Sequence, residues 1–241
     1  MGGETNSTQG PMEMTGGAVA PPTSGAGALV GIFTNPRKTF EALAGKPRIL
    51  LPFIVVLLAQ TVFAMAIFQT GVVKNDTLSK LEAQGKAPEV IEGTEKFFDS
   101  PAAPVVGAVT AAVITAFVLL FNSALFFFLG NLMLGARLTF TQYLCIEAYS
   151  AVITLVDLAV RAGLAIGKGT LDIRLGLGNL FGDDPGFLGR FLDTLTNPLL
   201  LWPTAVAALG VSVFTKKSFG FGVLVVLPAF IIGAILSGTQ R

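Results

Sequence analysis

Six polar side chains recur at steps of three and four residues within one apolar stretch of the sequence. They are Tyr143, Glu147, Ser150, Thr154, Asp157 and Arg161. In an α-helix this spacing places all six on one face, while leucine, isoleucine, valine and alanine occupy the other faces. Carboxylates, a guanidinium and hydroxyl groups in apolar surroundings could bind an ion, relay a proton or hold a lipid headgroup.

Two interpretations of this face stay open. In the structural one, Asp157 and Arg161 form an ion pair four residues apart, and Glu147 lies close enough to an interface to reach water. In the functional one, the face lines a polar cavity between helices. A charge deep in a bilayer costs about 2.5–3.5 kcal/mol on insertion scales, so both interpretations require these side chains to face protein. The residues predicted for this polar face are Tyr143, Glu147, Thr154, Asp157 and Arg161, with Asn122 from a neighbouring span. In the cavity interpretation Gln60 of the first span also contributes.

The composition places the surrounding helices in a membrane. Hydrophobic residues make up 52% of the 241 residues and charged residues 13%, against about 25% charged in a soluble domain. The mean hydropathy is +0.72. We therefore predict an all-α fold, a polytopic helical bundle that uses nearly the whole chain and leaves no room for a separate catalytic domain.

The composition also argues against several kinds of site. The chain has one cysteine, Cys145, and no histidine, so the usual general base and the commonest zinc ligand are missing. We predict no catalytic residues, no metal site, no cofactor and no enzyme activity. A formal net charge of +1 provides no basic field for nucleic acid, so we also predict no nucleic-acid partner.

Five apolar runs are long enough to cross a bilayer. They cover residues 49–69, 105–134, 142–166, 198–214 and 219–236. The second run is longer than a bilayer core of about 30 Å requires, so it is either one tilted helix or a helix broken near Asn122, Ser123 or Gly130. Residues 1–27 are rich in Gly, Pro, Ser and Thr, which predicts a disordered tail before a membrane domain at 28–241.

A short helix beginning at Pro36 is predicted to lie on the membrane surface before the first span. Asn35 can cap it, and its apolar side chains are accompanied by cations, which suits the headgroup layer of anionic lipid. An equally open alternative is a basic flank that only sets orientation. The predicted surface residues are Arg37, Lys38, Phe40, Lys46 and Arg48.

Basic residues in the short connections predict the orientation. With five spans, the cations before the first span, Arg137, and the pair Lys216 and Lys217 all fall on one side. By the positive-inside rule this side is the cytoplasm, so the N-terminus is cytoplasmic. The acidic segment after the first span and the GDDPG turn at residues 182–186 fall on the other side.

Three stretches in this order resemble the Yip domain family, the Ypt/Rab-interacting membrane proteins and their bacterial relatives. The resemblance covers residues 31–236 and is carried by NPRKTFEAL, GARLTFTQYLCIEAYSAV and LLLWPTAVAALGVSVFTKKSFGFGVLVVL. It implies a five-span membrane protein with a cytoplasmic N-terminus. For eukaryotic members it implies binding to small GTPases and a role in trafficking or membrane shaping, and for bacterial members only residence in the membrane.

The chain is similar to a bacterial-type member, so we expect it in the cell membrane and do not carry over a GTPase partner. The resulting prediction is a structural or partner-binding organiser of the membrane without catalytic chemistry. Its expected partners are the lipid bilayer and other membrane proteins or a second copy of the chain. The alternative is a small transporter, channel or lipid-moving protein that uses the polar face of the third span.

Overall fold

The computed structural model describes residues 24–182 and 184–239, which form ten α-helices and no β-strand in these ranges. The helices are α1 Gly25–Thr34, α2 Pro36–Ala44, α3 Leu50–Gln69, α4 Val72–Ala83, α5 Pro88–Phe98, α6 Ala103–Phe127, α7 Phe140–Lys168, α8 Gly186–Thr196, α9 Pro198–Thr215 and α10 Phe219–Thr239. A π-helical turn, Phe128–Met133, continues α6, and a 3₁₀ turn, Leu177–Phe181, precedes α8.

Five of these helices are long and apolar enough to cross a membrane, which confirms the predicted spans. They are α3, α6 with its π-helical turn, α7, α9 and α10, with lengths of 18 to 31 residues. Large apolar side chains such as Val62 on α3 and Phe117 on α6 are exposed. Exposed apolar faces on long helices are expected where the solvent is lipid, so the chain is a multi-pass membrane protein.

Local sequence explains where the helices begin. The Asn35 side chain accepts a hydrogen bond from the Lys38 amide, with Pro36 in the first turn of α2. Thr139 and Gln142 form a reciprocal capping box at the start of α7. Asn197 accepts from the Leu199 amide and caps α9. These side chains satisfy amide groups that a helix cannot pair internally.

The second apolar run does not continue as one regular helix. It changes from α6 to the π-helical turn at Phe128, close to Gly130, which was one of the predicted break points. Gly130 is buried against the hydroxyl of Tyr143, and a Cβ atom at this position would collide with that hydroxyl. The turn therefore ends α6 at a close contact with α7.

Helix α7 lies at the centre of the bundle and contacts α1, α3, α6 and α9. Every residue of α7 from Tyr143 to Ile153 is buried, with Ile146 and Tyr149 in the core. Helix α7 is thus the one to which most other spans are attached.

Helices α9 and α10 pack at backbone distance, since a Cβ atom on Gly222 would overlap the backbone of Ala208.

The connections fall on two sides of the bundle. On the α2 side, the Lys217 amine donates to the carbonyls of Leu134 and Gly135, which joins the two short loops. On the α8 side, the hydroxyls of Thr194 in α8 and Ser237 in α10 lie 2.6 Å apart. Successive connections alternate between these two sides, which agrees with five crossings of the membrane. An odd number of crossings places the start and the end of the bundle on opposite sides.

The N-terminal helix begins before the predicted start of the membrane domain. The predicted tail at 1–27 lies outside the described residues as far as position 23, and α1 begins at Gly25. The Ser24 side chain accepts a hydrogen bond from the Gly27 amide at 3.0 Å. Ala28 and Ile32 are buried in the core, so packing against the bundle stabilises a helix whose Gly-rich sequence is a weak helix former.

Candidate functional site

Glu147 lies on α7 and is held between helices. Its side chain is buried, with 9% of the residue exposed. The Asn122 amide of α6 donates a hydrogen bond of 2.8 Å to Glu147 Oε1. We call these two residues the Glu147 pair. A buried carboxyl group needs such a donor because unpaired burial of a polar group is costly, so the pair joins α6 to α7.

Tyr143, at the start of the predicted face, has a different partner. It is fully buried, and its hydroxyl donates to Asn131 Oδ1 at 3.2 Å. Asn131 Oδ1 also accepts from the Leu138 amide at 3.0 Å. The structure therefore separates Tyr143 from Glu147 and uses it to anchor the loop before α7. Asn131 was not predicted, and only its place beside Gly130 could have indicated it.

Asp157 and Arg161 form the predicted ion pair near the α8 side. Arg161 Nε donates to both carboxylate oxygens of Asp157, at 2.9 and 3.1 Å. Asn197 adds a hydrogen bond of 3.2 Å from Nδ2 to Asp157 Oδ1, and Arg161 Nη1 donates to the Ile173 carbonyl at 2.6 Å. We call these four residues the Asp157 cluster. It joins α7 to the start of α9 and to the connection between α7 and α8.

The middle of the face contains hydroxyl groups without long-range bonds. Thr154 donates to the Ala151 carbonyl of its own helix at 2.6 Å. The hydroxyl of Ser150 on this face and that of its neighbour Tyr149, which lies off the face, are buried and have no hydrogen-bond partner among the described residues. Thr154 thus does not connect the Glu147 pair to the Asp157 cluster.

The predicted surface residues divide into two groups. Arg37, Lys38, Lys46 and Arg48 are exposed, and Arg37 Nε donates to Glu41 at 3.2 Å. Phe40 differs from the prediction because it is completely buried. Its ring lies 6.2 Å from that of Phe214 and packs beside Gly210. Phe40 therefore anchors α2 to the bundle instead of contacting lipid.

A further polar group on the α8 side was not predicted. Asp76 of α4 is buried and accepts hydrogen bonds from the Thr170 hydroxyl at 2.9 Å and the Leu171 amide at 3.2 Å. Lys80 contacts its other oxygen at 2.6 Å. Burial alone would raise the pKa of Asp76, but the hydrogen bonds from Lys80, Thr170 and Leu171 outweigh it and lower this pKa below 3.8.

The described residues contain no group of three or more His, Cys, Asp or Glu side chains that could hold a metal ion. Asp157 and Glu147 are engaged in the separate contacts given above. Through hydrogen bonds and one ion pair, these side chains attach four segments to α7. The segments are α6, the π-helical turn, the connection between α7 and α8, and the start of α9.

Comparison with known proteins places the chain in a family. The chain matches no curated protein and no solved structure. The family model described as the Yip1 domain matches residues 30–238, a range that includes α2, all five spans and both polar groups of α7. Because this match covers most of the chain, this multi-pass membrane protein belongs to the Yip1 domain family.

Proposed function

We propose that the protein is a structural or partner-binding organiser of the cell membrane without catalytic chemistry. The observation that carries this proposal is the pairing along α7. The Glu147 pair fixes α6 to α7, and the Asp157 cluster fixes α9 to α7. Polar residues used in this way stabilise one arrangement of helices, as expected of a scaffold that presents fixed surfaces.

The cationic residues of the α2 side support a cytoplasmic N-terminus. Arg37, Lys38, Lys46 and Arg48 are exposed there, and Lys217 joins the two short loops on the same side. Short loops rich in lysine and arginine remain in the cytoplasm. Each of these cations near an anionic leaflet contributes about 1 kcal/mol of attraction, so we propose that α2 and the following loop contact the headgroups.

Two crosslinking sites test the partner-binding role. A photoreactive amino acid replaces either Lys38, which is exposed on α2, or Ile146, which is completely buried in α7. In native membranes we expect a discrete, saturable protein adduct from position 38 and none from position 146. If position 38 gives only lipid adducts, the partner-binding part of the proposal is wrong.

Proteoliposomes test the transporter alternative. The wild-type chain, Glu147→Gln and Asp157→Asn are reconstituted with an entrapped pH-sensitive dye or a fluorescent phospholipid accessible to dithionite. We expect proton leak and lipid exchange equal to those of protein-free vesicles for all three chains. Wild-type flux that either variant abolishes would overturn the organiser and favour a functional cavity along α7.

A further inference from the structure

A polar cavity of about 370 Å³ lies on the α8 side of the bundle. Its wall is formed by α4, α7, the connection between α7 and α8, α8 itself and the last turns of α10. The cavity borders the Asp157 cluster through Arg161 and Ile173. A space of this size is large enough for a small polar group such as a phosphoester.

Cationic side chains outnumber carboxylates on the wall. The cations are Lys80, Arg161, Arg174 and Arg190, and the carboxylates are Asp172 and Asp193. Asp193 is buried and accepts the Gly176 amide at 2.7 Å, which orients that carboxylate toward the polypeptide. Lys80 and Arg161 each also contact a carboxylate outside the wall, Asp76 and Asp157. The wall itself combines cations from four separate segments with only two carboxylates, which favours an anionic ligand.

The polypeptide holds two of the guanidinium groups in place. Arg161 bonds through Nε and Nη1 to Asp157 and Ile173. Arg174 donates from Nη1 to the carbonyls of Gly178 and Gly182, and from Nη2 to Asp172. A guanidinium carries five N–H donors in a fixed plane, and each of these groups uses only part of them. Fixed donors lose little conformational entropy when they bind phosphate.

Apolar side chains are exposed on α8, which forms part of the cavity wall, and on the 3₁₀ turn that precedes it. Leu177, Leu180, Phe187 and Leu188 are exposed on the 3₁₀ turn and on α8, with Leu180 at 78%. Phe187 also packs against Gly238 near the end of α10. Exposed apolar side chains beside a membrane-spanning helix suit the boundary between headgroups and acyl chains. A molecule that enters the cavity there would have a charged head and an apolar tail.

We propose that this cavity binds the phosphate group of a membrane phospholipid, with Lys80, Arg161, Arg174 and Arg190 as its cationic wall. The acyl chains lie along the apolar side chains of the 3₁₀ turn and α8. This inference goes beyond the proposed function and does not depend on it, because an organiser and a transporter could each carry a bound lipid.

Calorimetric titration of the purified full chain in a nonionic detergent tests the site. The probes are dioctanoyl phosphatidylglycerol, dioctanoylglycerol without phosphate, and inorganic phosphate. We expect the phospholipid to bind and dioctanoylglycerol not to bind. The double variant Lys80→Gln with Arg190→Gln should raise the Kd for the phospholipid at least tenfold, because it removes two of the four cations.

Matched variants separate the site from general charge and from folding. Lys86→Gln with Lys96→Gln changes the net charge equally at two exposed positions outside the cavity wall and should leave the Kd unchanged. Ser237→Phe fills the cavity without changing charge and should weaken binding as strongly as the double variant, which keeps the test valid if the latter fails to fold. The proposal is wrong if either cavity variant binds like the wild type, or if inorganic phosphate or dioctanoylglycerol binds as tightly as the phospholipid.

Discussion

Asparagine in place of Asp157 tests whether the polar face of α7 holds the bundle together. Asp157 is 8% exposed and accepts two hydrogen bonds from Arg161 and one from Asn197. A hydrogen bond to a charged group contributes about 1.5–3 kcal/mol, and breaking a buried ion pair costs about 3–5 kcal/mol. The Arg161 side chain is 30% exposed and can reach water, so we expect a loss of about 2–3 kcal/mol of unfolding free energy.

The measurement is unfolding of the chain in mixed micelles by dodecyl sulfate, followed by far-ultraviolet circular dichroism. Thr154→Val is the matched control on the same face, since the Thr154 hydroxyl bonds only within α7. It should change stability by less than about 0.5 kcal/mol. Glu147→Gln should also cost less than Asp157→Asn, because the glutamine carbonyl can still accept the hydrogen bond from Asn122.

A double variant measures whether Asp157 and Arg161 stabilise each other. If Asp157 and Arg161 stabilise each other, Asp157→Asn combined with Arg161→Gln should be more stable by about 1–2 kcal/mol than the sum of the single effects predicts. Additive effects, or an Asp157→Asn variant no less stable than Thr154→Val, would show that the cluster does not stabilise the bundle.

Three further predictions concern packing, pH and orientation. Gly210→Ala should cost about 1–3 kcal/mol, because its Cβ atom would lie 2.7 Å from a methyl group of Ile146, whereas Gly163→Ala, with nothing within 4 Å, should not destabilise the chain in the same unfolding assay. The pKa of Asp76 is lower in the folded chain than its ordinary 3.8. The ionised carboxylate therefore stabilises the fold fully at neutral pH, and this stabilisation is lost as the pH falls below about 4. Asp76→Asn should remove this loss of stability from the acid-unfolding curve. The orientation is tested in whole cells that express the chain without Cys145. There Lys217→Cys should react with an impermeant maleimide only after the membrane is opened, whereas Glu89→Cys should react directly. The reverse pattern would contradict the proposed orientation.

The spans could be predicted from the sequence because a long apolar run leaves few alternatives. Each of the five helices begins and ends within a few residues of its predicted position. The start of α2 was also predictable, since Asn35 followed by Pro36 is a local capping signal. Helix α1 was assigned partly to the tail because its stability comes from burying Ala28 and Ile32 in the bundle, which no local pattern reveals.

The polar face was predictable only as far as helical spacing determines it. The Asp157–Arg161 pair follows from a separation of four residues within one helix. Asn197, in contrast, is 40 residues from Asp157 in sequence, and Asn131 reaches Tyr143 only because of the π-helical turn. Contacts of these kinds depend on how the helices pack.

Phe40 shows a second limit of sequence patterns. An amphipathic helix beside a membrane span has an apolar face, but the pattern does not say whether lipid or protein covers it. Gly210 decides the outcome here, because its missing side chain leaves room for the Phe40 ring between α2 and α9. A glycine in a span far along the sequence thus determines where an N-terminal phenylalanine lies.

The pairing within α7 also has a consequence for biogenesis. Asn122 precedes Glu147 in the sequence, so α6 is already synthesised when α7 leaves the ribosome. Asn197, however, follows Asp157 by 40 residues, and α7 must wait for it. Because Asp157 and Arg161 neutralise each other within one helix, this end of the nascent α7 carries no unpaired charge before α9 is inserted.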